Sequence, residues 1–228
     1  QALHELGGTN TMFRSDANGG RPVALLIPPK ADRNKPFELV LFFHGKGTQL
    51  DELLNNPELE AGVKEQARSQ PNVIFAFPQG HSRERYHLWM SHERGESLAR
   101  LRQEIQDTAA RILGKDKITI HRFVLKAHSS GGVVCKNALD AGELQANHID
   151  LYDAMYGNWG DMVAEWALRP ENQSVDFGVG YSPHQQAQVR SFRKTLTGQR
   201  VMHIERAKVG HSQLPFHYWV LRPGPTQR

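Results

Sequence analysis

The feature that most constrains this chain is a series of short, dense apolar runs, most of them cut off by Gly or Pro and separated by amphipathic stretches. The first, Val23 to Ile27, is closed by Pro28 and Pro29. Leu39 to Phe43 ends at His44-Gly45-Lys46-Gly47, and Val73 to Phe77 ends at Pro78-Gln79-Gly80. Phe123 to Leu125 leads into Ala127-His128-Ser129-Ser130-Gly131-Gly132. Ile149 to Met155 ends at Tyr156-Gly157, and Val175 to Val179 and Val201 to Ile204 complete the set. Runs this short and this apolar suit strands covered on both faces. Their alternation with helical stretches is the βαβ signature of an α/β protein with a mostly parallel central sheet and helices on both faces.

The helices read from periodicity. Ser97 to Leu113 places Leu98, Leu101, Ile105, Ala109 and Ile112 on one stripe, with Arg100, Glu104 and Arg111 off it, and Gly114 as its stop. Val133 to Leu144, Trp159 to Leu168 and Gln185 to Leu196 are shorter candidates. Gly80 to Glu96 has no clean period and holds His81, Tyr86, His87, Trp89 and His92, so it reads as a long loop of the kind that carries function.

Composition narrows the class. A chain of 228 residues, 39% hydrophobic and 23% charged, has the material for one core, so a single domain over 1–228 is expected rather than disorder. No window approaches 18 consecutive apolar residues, so no transmembrane segment is expected. The net charge of +4 and the pI of about 9.3 arise from scattered Lys and Arg without a basic run. A solvated basic surface is expected, with no nucleic-acid partner, although such a surface attracts anionic substrates or a cell surface. Cys135 is the only cysteine, which excludes an intramolecular disulfide and a cysteine-based zinc cage. The histidines of the 80–96 loop lack metal-ligand spacing, and no metal or other cofactor is expected. The start at Gln1, without Met or an apolar leader, reads as a mature or trimmed product, soluble and with any targeting signal already removed.

The chemistry concentrates at Ala127-His128-Ser129-Ser130-Gly131-Gly132, between a strand and a helix. A serine hydroxyl is a poor nucleophile until it is exposed, held near a base and given an anion site. A tight strand-to-helix turn does all three, and it requires small residues two positions either side of the serine, here Ala127 and Gly131. The bland alternative is a Gly-containing helix N-cap at Ser129 or Ser130.

With these residues the chain resembles the α/β-hydrolase superfamily, whose elbow is Gly-x-Ser-x-Gly with Ala tolerated first. The resemblance runs from about Val23 to Leu221. More narrowly it is similar to bacterial hydrolases with an Asp-x-x-Tyr-Gly segment, here Asp153 to Gly157. The resemblance implies a Ser-acid-His order and an oxyanion loop at His44-Gly45. The oxyanion donors would be the backbone N–H groups of Lys46 and Ser130, with His44 bracing that loop beside the substrate. A plain strand-ending Gly turn is the bland alternative.

The base is expected after the last strand. His211, in Val209-Gly210-His211-Ser212, fits that place, with His217 in reserve and His203 packed in its strand. For the acid, the usual segment here reads Gly180-Tyr181-Ser182-Pro183-His184 and holds no carboxylate. Asp153, one strand earlier, would be a costly charge within an apolar strand unless paired, and pairing with His211 resolves that. Asp161 and Asp176 remain as alternatives, the former read as a helix N-terminal charge. Tyr86 and Trp89 are expected to wall the substrate pocket, or to be exposed loop aromatics, and Cys135 is expected to be a buried small hydrophobe.

The expected activity is a serine hydrolase of carboxylic esters, working through an acyl-enzyme on a small-molecule or cell-envelope acyl substrate. A peptidase, amidase or thioesterase on the same triad, or a non-catalytic module retaining the fold, stands as the alternative. The short stretch between Asp153 and Val175 implies little or no lid.

Overall fold

A computed structural model describes residues 8 to 196 and 202 to 219. Its strands are β1 (Thr9–Ser15), β2 (Arg21–Ile27), β3 (Phe37–Phe43), β4 (Val73–Pro78), β5 (Ile120–His128), β6 (His148–Tyr152), β7 (Asp176–Tyr181) and β8 (Met202–Arg206). They form one sheet in the order β1-β2-β4-β3-β5-β6-β7-β8. β2 runs antiparallel to β1 and β4, and every pairing from β4 through to β8 is parallel. The helices are α1 (Leu50–Leu54), α2 (Pro57–Ser69), α3 (Leu98–Ile112), α4 (Val133–Asp140), α5 (Trp159–Ala167), α6 (Gln186–Leu196) and α7 (Leu214–His217).

Alternation along each strand sorts the core into two halves. Val23 and Leu25 of β2, Leu39 and Leu41 of β3, and Phe123 and Leu125 of β5 pack with α3, α4, α5 and α6. Leu26, Val40, Phe42, Phe75 and Val124 face the other way, onto Leu50 and Leu53 of α1, Leu59 and Val63 of α2, and Trp219. A strand buried on both faces has no polar side to mark it, which is why these segments read as unbroken apolar runs.

The expected strands are present with shifted ends. β1, α1 and α2 lie outside the apolar runs and were not anticipated, although Asn56 caps α2 through its side chain and Pro57 opens it. The strand expected from Ile149 to Met155 stops at Tyr152, which leaves Asp153 just beyond it. Val201 of the last expected strand lies outside the described residues. The 80–96 segment is ordered by two 3₁₀ turns, Arg83–Leu88 and His92–Arg94. Between β6 and β7 stand only α5 and a short 3₁₀ turn, Pro170–Asn172. No helix among the described residues is long and apolar enough to cross a membrane.

One polar network interrupts the α2 face of the sheet. Lys126 of β5 and Asp150 of β6 are register partners, both buried, with Nζ 2.7 Å from Oδ2. Lys126 Nζ also donates to the carbonyl of Trp219 at 2.5 Å, and the Tyr152 hydroxyl donates to the carbonyls of Tyr218 and Trp219 at 3.0 and 3.1 Å. The end of α7 is thereby tied to the middle of the sheet. His148 donates to Asp150 at 2.6 Å and to Asp176 at 2.8 Å. Burial disfavours its charge, but the two carboxylates outweigh burial and raise its pKa to about 9. Burial likewise opposes the charge of Asp150, and Lys126 and His148 together hold its pKa down at about 2.

A histidine whose folded pKa is raised stabilises the fold fully below its unfolded value, near 6.5, and loses that contribution as pH rises through about 9. The unfolding free energy of wild type should therefore exceed that of His148→Gln by at most on the order of 3 kcal/mol at pH 6. The gap should narrow steadily to pH 9.5 in urea titrations. A gap independent of pH would show that His148 is not charged in the folded protein.

Candidate active site

The elbow forms where β5 meets α4. Ser129 adopts φ 54°, a left-handed conformation that costs a β-carbon residue on the order of 1–3 kcal/mol and persists only where packing enforces it. The enforcement is visible at Gly131. A Cβ there would lie 2.4 Å from the carbonyl oxygen of Phe43 and 2.7 Å from that of His44, so only glycine lets the elbow rest on the end of β3. Ala127, on the other side, is fully buried. The turn after β3 lies over the serine, since a Cβ on Gly45 would be 3.3 Å from Ser129 Cβ. Lys46 follows in that turn, which Thr48 N–H closes onto the Gly45 carbonyl at 3.2 Å, and Ser130 is the second residue of the 3₁₀ turn, Ser129–Gly132, that leads into α4.

His211 reaches the elbow from the loop after β8. Its Nε2 is 2.9 Å from Ser129 Oγ and its Nδ1 is 2.8 Å from Asp153 Oδ2. Asp153, with φ 48°, has a fully buried side chain, whereas the His211 side chain is 38% exposed and so opens the site to solvent. Asp153 also accepts the Ser182 N–H on Oδ1 and the Ser182 hydroxyl on Oδ2, both at 2.6 Å. With Nδ1–H given to the carboxylate, Nε2 carries a lone pair toward the serine proton. The Ser129 proton is then committed to His211, so the Tyr156 hydroxyl, 3.3 Å from Oγ, is the donor of that pair.

Two further histidines stay neutral by burial. His128 donates from Nε2 to the His211 carbonyl at 2.8 Å, its ring centroid is 4.9 Å from that of His211, and burial drives its pKa to about 4. It clamps the loop that carries His211. Burial likewise holds His44 at about 4. His44 Nε2 accepts the Gly80 N–H at 2.9 Å and Nδ1 donates to the Gly45 carbonyl at 2.8 Å, which braces the turn above Ser129.

Tyr86 and Trp89 require a correction. Expected beside substrate, they are buried behind the same turn, as is the His44 ring. The Tyr86 hydroxyl bonds the His44 carbonyl, and the Trp89 ring packs 5.1 Å from Phe43 and 5.0 Å from His44. Trp89 Nε1 donates to Asn18 at 2.8 Å. An aromatic on a polar loop hides its surface when neighbouring rings are available, so these side chains shape the turn and offer no face to a ligand.

The alternative site residues lie elsewhere. Asp176 is taken up by His148 and Arg122, Asp161 sits in the first turn of α5, and His217 is exposed on α7. His203, 3.3 Å from Glu205, remains in β8. Of the loop histidines, His81 pairs with Glu96 at 2.5 Å and His92 with Glu143 at 2.9 Å. Cys135 is buried, and burial raises its thiol to about 12. Among the described residues one group could hold a metal ion, Asp153, His184 and His211. Its closest pair is already at hydrogen-bond distance, and Ser182 takes a further lone pair of the carboxylate. Reading from sequence passed over His128, Tyr156, Ser182 and His184. Only Tyr156 carried a signal, as part of the Asp-x-x-Tyr-Gly segment.

The strand order, the antiparallel β2 and the elbow after β5 make this an α/β-hydrolase fold. No protein-family model and no curated protein sequence matches the chain. Solved structures do. A ferulic acid esterase is 12% identical with a TM-score of 0.64, the match covering 92% of each chain. An S-formylglutathione hydrolase from Agrobacterium tumefaciens is 12% identical with a TM-score of 0.60, covering 94% of this chain and 92% of that one. FphF, a fluorophosphonate-binding serine hydrolase of Staphylococcus aureus, is 14% identical with a TM-score of 0.60, covering 92% of each. At such identities the likeness is one of fold.

Gly131→Ala should lower stability by about 1–3 kcal/mol, the usual cost of overpacking, because its Cβ meets main chain rather than a mobile side chain. Thermal unfolding should read this as a fall of roughly 2–12 °C in Tm. An unchanged Tm would mean that the end of β3 moves aside freely.

Proposed function

We propose that this protein is a serine hydrolase that cleaves carboxylic esters through an acyl-enzyme. The observation that carries the reading is the hydrogen-bonded line from Ser129 Oγ, on its strained turn, through part-exposed His211 to buried Asp153. Esterases and a fluorophosphonate-binding hydrolase among proteins of similar fold lend support.

In this reading Ser129 Oγ attacks the ester carbonyl carbon while His211 Nε2 takes the hydroxyl proton. The carbonyl oxygen becomes an oxyanion held by the backbone N–H groups of Lys46 and Ser130. Collapse breaks the bond to the alcohol, which leaves with the proton from His211. Water then attacks the acyl-enzyme with His211 again as base, returning Ser129 and releasing the acid. Asp153 keeps the imidazole in the tautomer that presents Nε2 and stabilises the imidazolium formed in each half. The serine's second hydrogen bond, from Tyr156, is released as Oγ becomes an ester oxygen and a poorer acceptor. The partner is a small-molecule or cell-envelope acyl compound.

A fluorophosphonate probe and a panel of short- and long-chain esters, thioesters and peptides test this. Wild type should label and hydrolyse esters, and Ser129→Ala should do neither. Asp153→Asn should lower kcat by about 10³–10⁴-fold with folding intact. A wild type that neither labels nor turns over any member of the panel would mark the chain as a non-catalytic module. Turnover confined to peptides or thioesters would move it to those classes.

A further inference from the structure

The segment after β7, where the superfamily resemblance implies an acid, instead sends two polar side chains back toward Asp153, just past the end of β6. Ser182 Oγ lies 2.6 Å from Asp153 Oδ2 and 2.6 Å from His184 Nδ1. His184 Nε2 stands 4.0 Å from the same carboxylate oxygen, and the ring centroid is 5.5 Å from that of His211. The carboxylate of Asp153 has no protons to give, so the Ser182 hydroxyl donates to it. The oxygen of that hydroxyl then accepts, and the donor is His184 Nδ1–H. The result is a chain of donors, His184 to Ser182 to Asp153, that meets the chain from His211 on one oxygen atom.

We propose that Ser182 and His184 form a positioning arm that orients the Asp153 carboxylate toward His211, an inference that rests on the ester-hydrolase reading above. Asp153 sits in a left-handed backbone conformation just past the end of β6, so its own strand does not fix its side chain. Three fixed donors do: the Ser182 N–H on one oxygen, and the Ser182 hydroxyl and His211 on the other. His184 completes the arm by fixing the hydroxyl rotor, which is otherwise free to turn away from the carboxylate. Hydrogen bonds linked in series polarise one another, so the arm also strengthens the acceptor that His211 meets as it becomes an imidazolium. The His184 side chain is 53% exposed, so replacing it leaves the core untouched.

The test compares Ser182→Ala, His184→Ala and His184→Asn, because the Asn amide N–H reproduces the Nδ1 donor without the rest of the ring. On an ester that wild type hydrolyses, His184→Ala should lower kcat about tenfold, the loss expected for one ordered hydrogen bond, with KM changed less than about twofold. His184→Asn should restore kcat to within about twofold of wild type. Ser182→Ala should match or exceed the loss in His184→Ala, and the double variant should be no worse than Ser182→Ala alone, because the two act in series. Additive losses, or an Asn variant as slow as the Ala variant, would overturn the arm. The low-field proton resonance of His211 Nδ1–H gives a readout independent of turnover. It should shift in His184→Ala and Ser182→Ala and return in His184→Asn. A resonance that stays in place in all three would also overturn the arm. Fluorophosphonate labelling of wild type reports on the hydrolase reading itself, so its failure is separable from failure of the arm.

Discussion

The contact on which the rest of the site depends is that of Gly131 with the carbonyls of Phe43 and His44. β3 and β5 pair in parallel along their length, with Phe43 opposite Ala127, so their ends emerge side by side. The absent side chain at Gly131 lets the main chain after β5 rest on the end of β3. That close approach holds Ser129 at positive φ and sets the 44–47 turn above it. A larger residue would separate Ser129 from the turn and relieve the strain at its backbone. Behind the turn, the rings of His44, Tyr86 and Trp89 pack tilted or edge-on against one another and Tyr86 bonds the His44 carbonyl, which supports the turn from below.

His211 is held differently. It lies on the segment after β8, and its position is set from both ends by polar anchors. His128, next to the serine, clamps the His211 carbonyl. Past His211, the carbonyls of Tyr218 and Trp219 are bound by Tyr152 and Lys126 on the α2 face of the sheet. A buried lysine is costly unless its protons are matched. Here they reach Asp150, the Trp219 carbonyl and, at 3.4 Å, Tyr152. β5 and β6 thus do two tasks. Their ends carry Ser129 and Asp153, and the opposite face of the same strands fixes the segment that brings His211 to them.

Much of this was legible in advance. Two-sided burial writes strands as apolar runs, so most of the sheet could be read from composition along the chain. The small residues around Ser129 are required locally by the turn, and they were legible for the same reason. α2 was passed over because its start signal, Asn56-Pro57, is a capping feature and not an apolar run, and α1 is a five-residue helix whose N-cap, Gln49, makes no side-chain cap. The 80–96 segment misled for a related reason: its aromatics sit among charged residues, and only the fold shows that neighbouring rings enclose them.

The amino-acid order by itself determined the class of fold and the place of the elbow, because each follows from local periodicity or turn sterics; His211 was singled out through the order that the superfamily resemblance implies. It also placed Asp153 in the β6 region, through the cost of an unpaired charge there. Tertiary structure alone decided that Asp153 sits past the strand at positive φ and meets Ser182, with His184 behind it. It likewise decided that His128 clamps the His211 carbonyl and that Tyr86 and Trp89 face inward. These are pairings of polar atoms or rings from separate elements, set by how strands end and loops return, and they leave no period or spacing in the chain to read.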